Sequence, residues 1–400
     1  MPFVNKITGC LLSIFTAGCL FLTPSSAPVL AQSGKPVSPD PILSYLQTHP
    51  ETTAVASFTV TENGEIDAKD PAVFYNSDLR LPLASTKKVL LLAAYARAVS
   101  LGWLASDQAV LIADWEAYYL PGEDGGAHSE ALTWLNIPQD NYGFALDPHQ
   151  TVTLDQMMAV MIRFSDNAAP DYLIEKLGDQ FLADTVELAG MTHQDLPLTA
   201  CGLGLSWESH ESGPLTEARV QFLAGLSQEA FRAEVFRLTE RFKDPAWKLA
   251  EFEWRLAGNS TFNPAIEIKA IDAVAEHGTV RDYATLLSRV LSGRFVSPIV
   301  CQLIRKHLEW PMEIPEIRQG FAALGEKGGS FGAGVLTDTL YCIPRTGDFG
   351  NKTRITVIFL HKLSRQEFKE FYLDGKMFGF ELQLAVDRKF AKKARKGLKP

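Results

Sequence analysis

The chain has 400 residues, 46% of them hydrophobic and 21% charged, with a net charge of −9. That balance is close to a soluble globular average and supports a full core without staples. The acidic excess argues against nucleic acid as the main partner.

The first residues read as a leader. Lys6 precedes an uncharged apolar run, Ile7 to Leu22, of 16 residues. That is short of the roughly 20 needed to span a bilayer. Val29-Leu30-Ala31 places small side chains where a signal peptidase reads. Residues 1–31 are therefore expected to be a cleaved signal peptide, which makes the protein periplasmic or secreted. The competing reading is an uncleaved anchor. Residues 32–42, rich in Pro and Ser, read as a linker. Cleavage removes Cys10 and Cys19 and leaves Cys201, Cys301 and Cys342, so at most one disulfide forms within the chain. Neither Cys-x-x-Cys nor His-Glu-x-x-His occurs, and no metal or organic cofactor is expected.

Strand signals come first. Ala54 to Val60 is β-rich, Glu62-Asn63-Gly64 reads as a turn, and Ala72 to Tyr75 reads as a second strand. Helices follow. The spacing of apolar residues predicts them over Lys87–Val99, Leu154–Arg163, Ala168–Leu177 and 215–257. Strands return at Gly334–Ile343 and Arg354–Leu360, joined through Gly347 and Gly350. A final helix is expected from about Arg365 into a basic tail, read first as a solvated helix end and second as a weak contact with an anionic envelope surface. Strands at both ends with helices between imply an α+β fold: one antiparallel sheet flanked by helices, plus an all-helical lobe. Residues 43–400 are expected to form a single two-lobed domain. The α/β lobe takes about 43–80 and 310–400, and the helical lobe about 85–310.

Three short motifs carry chemistry. Ser85-Thr86-Lys87-Lys88 stands where a helix begins. A serine hydroxyl needs an adjacent base to attack at neutral pH, and Lys88 lies three residues on, on the same face. Burial that lowers a lysine's pKa makes it such a base. Alone the tetrad is common, and Ser is also an ordinary helix cap. Ser165-Asp166-Asn167 is a polar corner between two helices, and Lys327-Gly328-Gly329-Ser330 precedes a late strand. Each is unremarkable by itself. A rival nucleophile, Ser330 in a Gly-x-Ser-x-Gly pattern, lacks the helix that should follow it.

Taken in order, the three motifs resemble the penicillin-recognising serine enzymes, the class A β-lactamases and their relatives. The likeness extends to Leu81–Leu91, to Thr153–Met158 running on to Ala169, and to Gly278–Leu287, with insertions near 104–148 and 200–275. It implies a β-lactamase/D,D-peptidase-like fold. It also implies that Ser85 forms an acyl-enzyme, Lys88 activates it, and Ser165, helped by Lys327, passes a proton to the leaving nitrogen. The backbone N–H groups of Ser85 and Ser330 would form the oxyanion hole. Asn167 and Gly329 would contact substrate, and Tyr118 or Tyr119 would wall the groove. Two departures stand out. Gly328 replaces the usual Ser or Thr, whose hydroxyl bonds a substrate carboxylate; Ser330 and Arg354 are the candidates to compensate. Trp207-Glu208 is the only match for the family's deacylating glutamate, and Ser212 stands where that pattern has Asn.

The expected function is serine-based hydrolysis of a β-lactam or related amide. The alternatives are a peptidoglycan D,D-peptidase or esterase-like relative with slow β-lactam release, and a binding protein with degraded catalysis. The expected partner is a small β-lactam or peptidoglycan-type substrate. Nucleic acid, a stable membrane span after cleavage and a second subunit are not expected.

Overall fold

The computed structural model describes residues 40–398, so the expected leader and most of the linker lie outside the described residues. Helix α1 (Pro41–Thr48) starts at Asp40, whose carboxylate accepts from the N–H groups of Ile42 and Leu43. Strands β1 (Thr53–Val60) and β2 (Val73–Tyr75) follow. Three late strands, β3 (Phe321–Phe331), β4 (Val335–Pro344) and β5 (Thr353–Leu360), complete one antiparallel sheet in the order β2-β1-β5-β4-β3. Both ends of the chain thus build the sheet, and the fold is α+β.

The sheet is buried on both faces. Along β5, Ile355, Val357 and Phe359 join the larger core, while Ile358 and Leu360 join a second cluster with Phe380 and Ala391. Double burial explains why Val357 to Leu360 reads as an unbroken apolar run rather than as an alternating one.

The helical middle opens with α2 (Lys88–Ser100), then α3 (Leu154–Arg163) and α4 (Ala168–Ala189). Thr153 and Gln156 form a capping box at the start of α3. Helix α4 runs past the expected stop at Leu177 because Gly178, at φ 72° and ψ 166°, kinks the chain without ending it. The stretch 215–257 is three helices, α6 (Glu217–Ala224), α7 (Gln228–Phe242) and α8 (Pro245–Leu256), preceded by α5 (Ala200–Trp207). The breaks fall where Ser227 and Asp244 cap the next helix. Then come α9 (Pro264–Val274), α10 (Val280–Leu291) and α11 (Pro298–Leu308). Beyond the sheet, the expected final helix is interrupted before α12 (Lys376–Val386) and α13 (Arg388–Gly397), which meet at the capping residue Asp387. Among the described residues no helix is long and apolar enough to cross a membrane. Cys201, Cys301 and Cys342 are free and buried.

One expectation is corrected. Lys327-Gly328-Gly329-Ser330 is not a turn before the first late strand. It lies inside β3, the edge strand, paired with β4 at Lys327↔Thr339, Gly329↔Thr337 and Ser330↔Leu336. The glycines hide the strand from a propensity reading, and cross-strand pairing overrides them.

Candidate active site

Leu81-Pro82 pairs antiparallel with His277-Gly278, and the Leu83 N–H donates to the Glu276 carbonyl at 3.0 Å. This clamp sets the chain just ahead of Ser85. Ala84 then takes φ 46°, a region non-glycine residues seldom occupy, so strain sits directly before the serine. Ser85 lies in a tight 3₁₀ turn, Ala84–Lys87, that feeds into α2.

Lys88 Nζ stands 3.0 Å from Ser85 Oγ. It is also 3.0 Å from Ser165 Oγ, 2.6 Å from the Ser165 carbonyl and 2.7 Å from Asn167 Oδ1. Lys327 Nζ reaches the same Ser165 Oγ from the other side at 3.0 Å and donates to the Gly328 carbonyl at 2.7 Å. Ser85, Lys88, Ser165 and Lys327 therefore form one continuous chain of polar atoms. Burial, followed by the neighbouring Lys327 charge, holds the Lys88 amine well below its ordinary pKa, against the opposing pull of Asp166. Burial likewise brings Lys327 down to about 8, while Asp338 and Glu326 behind the strand pull the other way.

The corner carrying Ser165 is held from beneath. Ser165 has φ 68°. Asp166, fully buried, accepts from the Ala169 N–H at 2.6 Å, from Trp115 Nε1 at 3.1 Å and from His128 Nδ1 at 2.7 Å. Burial opposes a charge on His128, yet Asp166 and Glu116 raise its pKa to about 9, so the imidazolium and the carboxylate form a buried pair. Sequence reading missed His128 and Trp115, which lie far from the motif along the chain. It also missed Glu276, whose carboxylate pairs with Lys87 in the nucleophile turn and accepts from the Leu198 N–H at 2.7 Å. Thr337, 2.8 Å from Thr86 Oγ1 and donating to the Leu83 carbonyl at 2.8 Å, ties β4 to the same turn.

A cavity of about 430 Å³ opens over these groups. Ser85, Ser165, Asn167, Lys327, Gly329 and Ser330 all line it, and so do Gly328 and Glu208. Gly329 permits the close approach of β3: a Cβ there would lie 2.6 Å from Ser85 N and 2.8 Å from Thr86 N. At Gly328 the space is open, with only the Thr337 carbonyl 3.8 Å from a Cβ.

Two expectations change. Tyr118 and Tyr119 do not wall the cavity; they are core residues, packed edge-on to Tyr172 and stacked on His128 respectively. Arg354 does not compensate for Gly328. It is fully buried on the face covered by α12, donating to Thr59 Oγ1, Ser57 Oγ and the Leu384 carbonyl. Glu208 lines the cavity, but its carboxylate accepts from Ser260 Oγ and lies 3.8 Å from Arg255 Nη1; none of Lys88's bonds goes to a carboxylate. A further wall residue, Glu267 on α9, is pushed up to about 7 by burial and then by Glu123 and Glu208.

The family model described as Beta-lactamase enzyme family matches residues 55–339. A solved β-lactamase from Sphaerobacter thermophilus DSM 20745 is 18% identical, with a TM-score of 0.50 over 84% of this chain and 94% of its own. A solved β-lactamase from Chitinophaga pinensis DSM 2588 is 13% identical, with a TM-score of 0.50 over 85% and 96%. At such identities the likeness to those two is one of fold. None of the curated proteins compared with this chain matches it.

Proposed function

Because the chain belongs to the beta-lactamase enzyme family, we propose that it is an exported serine hydrolase that opens a β-lactam or related amide through an acyl-enzyme on Ser85. The observation that carries this reading is the bonded line Ser85–Lys88–Ser165–Lys327. In the proposed reaction the neutral Lys88 amine takes the Ser85 hydroxyl proton as Oγ attacks the carbonyl carbon. The Ser85 and Ser330 N–H groups, on the turn and on the strand pressed against it, hold the oxyanion. Collapse breaks the C–N bond. Ser165 gives its proton to the departing nitrogen and recovers one from Lys88, which restores the amine. Lys327 keeps a positive charge beside Ser165 throughout, and Asn167 and Gly329 meet the substrate. Export rests on the leader-like residues 1–31.

Release of the acyl group is the slow half of this proposal. Glu208 is the candidate to activate water, but Ser260 and Arg255 already engage its carboxylate. This favours a peptidase-like or esterase-like enzyme that β-lactams trap. Mixing with a chromogenic cephalosporin should give a burst close to one equivalent, followed by slow turnover. Rapid turnover with no burst, abolished in Glu208→Gln, would instead make it an efficient β-lactamase. Neither burst nor turnover would point to a degraded binding protein.

A further inference from the structure

The C-terminal helix α13 has a one-sided design that the catalytic reading leaves unused. Its inner side, Ala391 and Ala394 with Leu398 beyond it, is buried against the fold. Arg388 is tied down as well, 2.6 Å from Asp70 and stacked on Phe349. The outer side carries Lys389, Lys392, Lys393, Arg395 and Lys396, all exposed. Among the described residues none of these five joins an ion pair.

A solvated helix face explains this poorly. Lys389 stands three and four residues from Lys392 and Lys393, and Lys392 stands in the same relation to Arg395 and Lys396. Like charges at those spacings repel, and no acidic residue in the helix relieves them. The helix C-terminus favours cations, but only in its last turn. The chain as a whole is acidic, at −9, so five exposed cations on one face make a strong local asymmetry.

The helix packs beside α1. The Gln47 side chain of α1 donates to the Gly397 carbonyl at 3.2 Å, and Lys393 acts electrostatically on Asp40, the cap of α1. This is the sheet face covered by α12, opposite the nucleophile turn.

We propose that the outer face of α13 is an electrostatic contact surface for a bilayer of anionic phospholipids. The apolar residues of the helix point into the protein, so the contact is made by charge without insertion. It holds the catalytic cavity turned away from the lipid.

The test is co-sedimentation of the full chain with phosphatidylcholine vesicles and with the same vesicles containing phosphatidylglycerol. Any contribution from the apolar run is common to both, so the difference between them reads the helix. The expected result is a clear preference for the anionic vesicles, lost at about 1 M salt, where screening shortens to about 3 Å. Each lysine removed should weaken partition by roughly fivefold. Joint replacement of Lys389, Lys392, Lys393 and Lys396 by Gln should erase the preference while leaving acylation unchanged. Joint replacement by Arg should retain it, which separates charge from folding. Equal binding to both vesicle types, or a preference that survives the Gln variant, would overturn the proposal. So would capture by soluble polyphosphate with no binding to vesicles.

Discussion

Two adjacent glycines in β3 make opposite predictions for the same substitution. In Gly329→Ala the new Cβ would sit 2.6 Å from Ser85 N, 2.8 Å from Thr86 N and 2.7 Å from Thr337 Oγ1. Two of those atoms are backbone and cannot rotate aside. Overpacking of this kind costs about 1–3 kcal/mol of stability. Relief requires β3 to move away from the nucleophile turn, and β3 carries both Lys327 and the Ser330 N–H. A misplacement on the order of 1 Å between reacting groups costs about 100-fold in rate. Gly329→Ala should therefore cut the acylation rate about 100-fold and lower the melting temperature. Gly328→Ala meets only the Thr337 carbonyl, at 3.8 Å, and should stay within about twofold of wild type. Gly328→Ser also fits, and a hydroxyl there that bonds a substrate carboxylate should add about 1.5–3 kcal/mol of binding. The assay is the time course of labelling by a fluorescent penicillin, with thermal unfolding measured alongside. Wild-type acylation in Gly329→Ala, or equal losses in both Ala variants, would refute the close approach of strand and turn.

Other outcomes follow from the buried charges. Lys327 is brought down to about 8, so its cation is present below that pH and lost above it; acylation should decline as pH rises through about 8, and a rate that stays flat well above it would contradict the assigned role. His128 is raised from 6.5 to about 9, so its pairing with Asp166 stabilises the fold fully below about 6.5 and ceases to do so as pH rises through about 9. In Asp166→Asn the His128 titration, followed by NMR, should move down from about 9. Glu276→Ala leaves Lys87 buried without its partner and should cost about 3–5 kcal/mol in urea unfolding, whereas an apolar replacement of both residues should cost less.

The sequence made some parts of this arrangement legible and hid others, for physical reasons. Helix α3 has apolar residues at helical spacing and a capping box, and its expected bounds match the structure. Strands β1 and β5 are rich in β-branched and aromatic residues, and both faces of the sheet are covered. Lys88 lies three residues from Ser85, so local helical geometry brings them together without knowledge of the fold. β3 was hidden because Gly325, Gly328 and Gly329 lower its strand propensity, while the packing that requires two of them is tertiary. At Gly325 a Cβ would meet the Tyr341 ring, and at Gly329 the nucleophile turn. Tyr118 was misplaced because an aromatic beside an expected groove reads the same in sequence whether it points into the groove or into the core. His128, Glu276 and Thr337 carry no local signal; they matter only through partners distant in the chain.

Acylation is proposed at Ser85 Oγ. Intact-protein mass spectrometry after incubation with a penicillin tests it most directly, with peptide mapping of the adduct. The expected result is one added mass equal to the whole drug, located on Ser85, absent in Ser85→Ala and strongly slowed in Lys88→Ala. Labelling of Ser85→Ala to the wild-type extent, or an adduct mapped to Ser330, would contradict it.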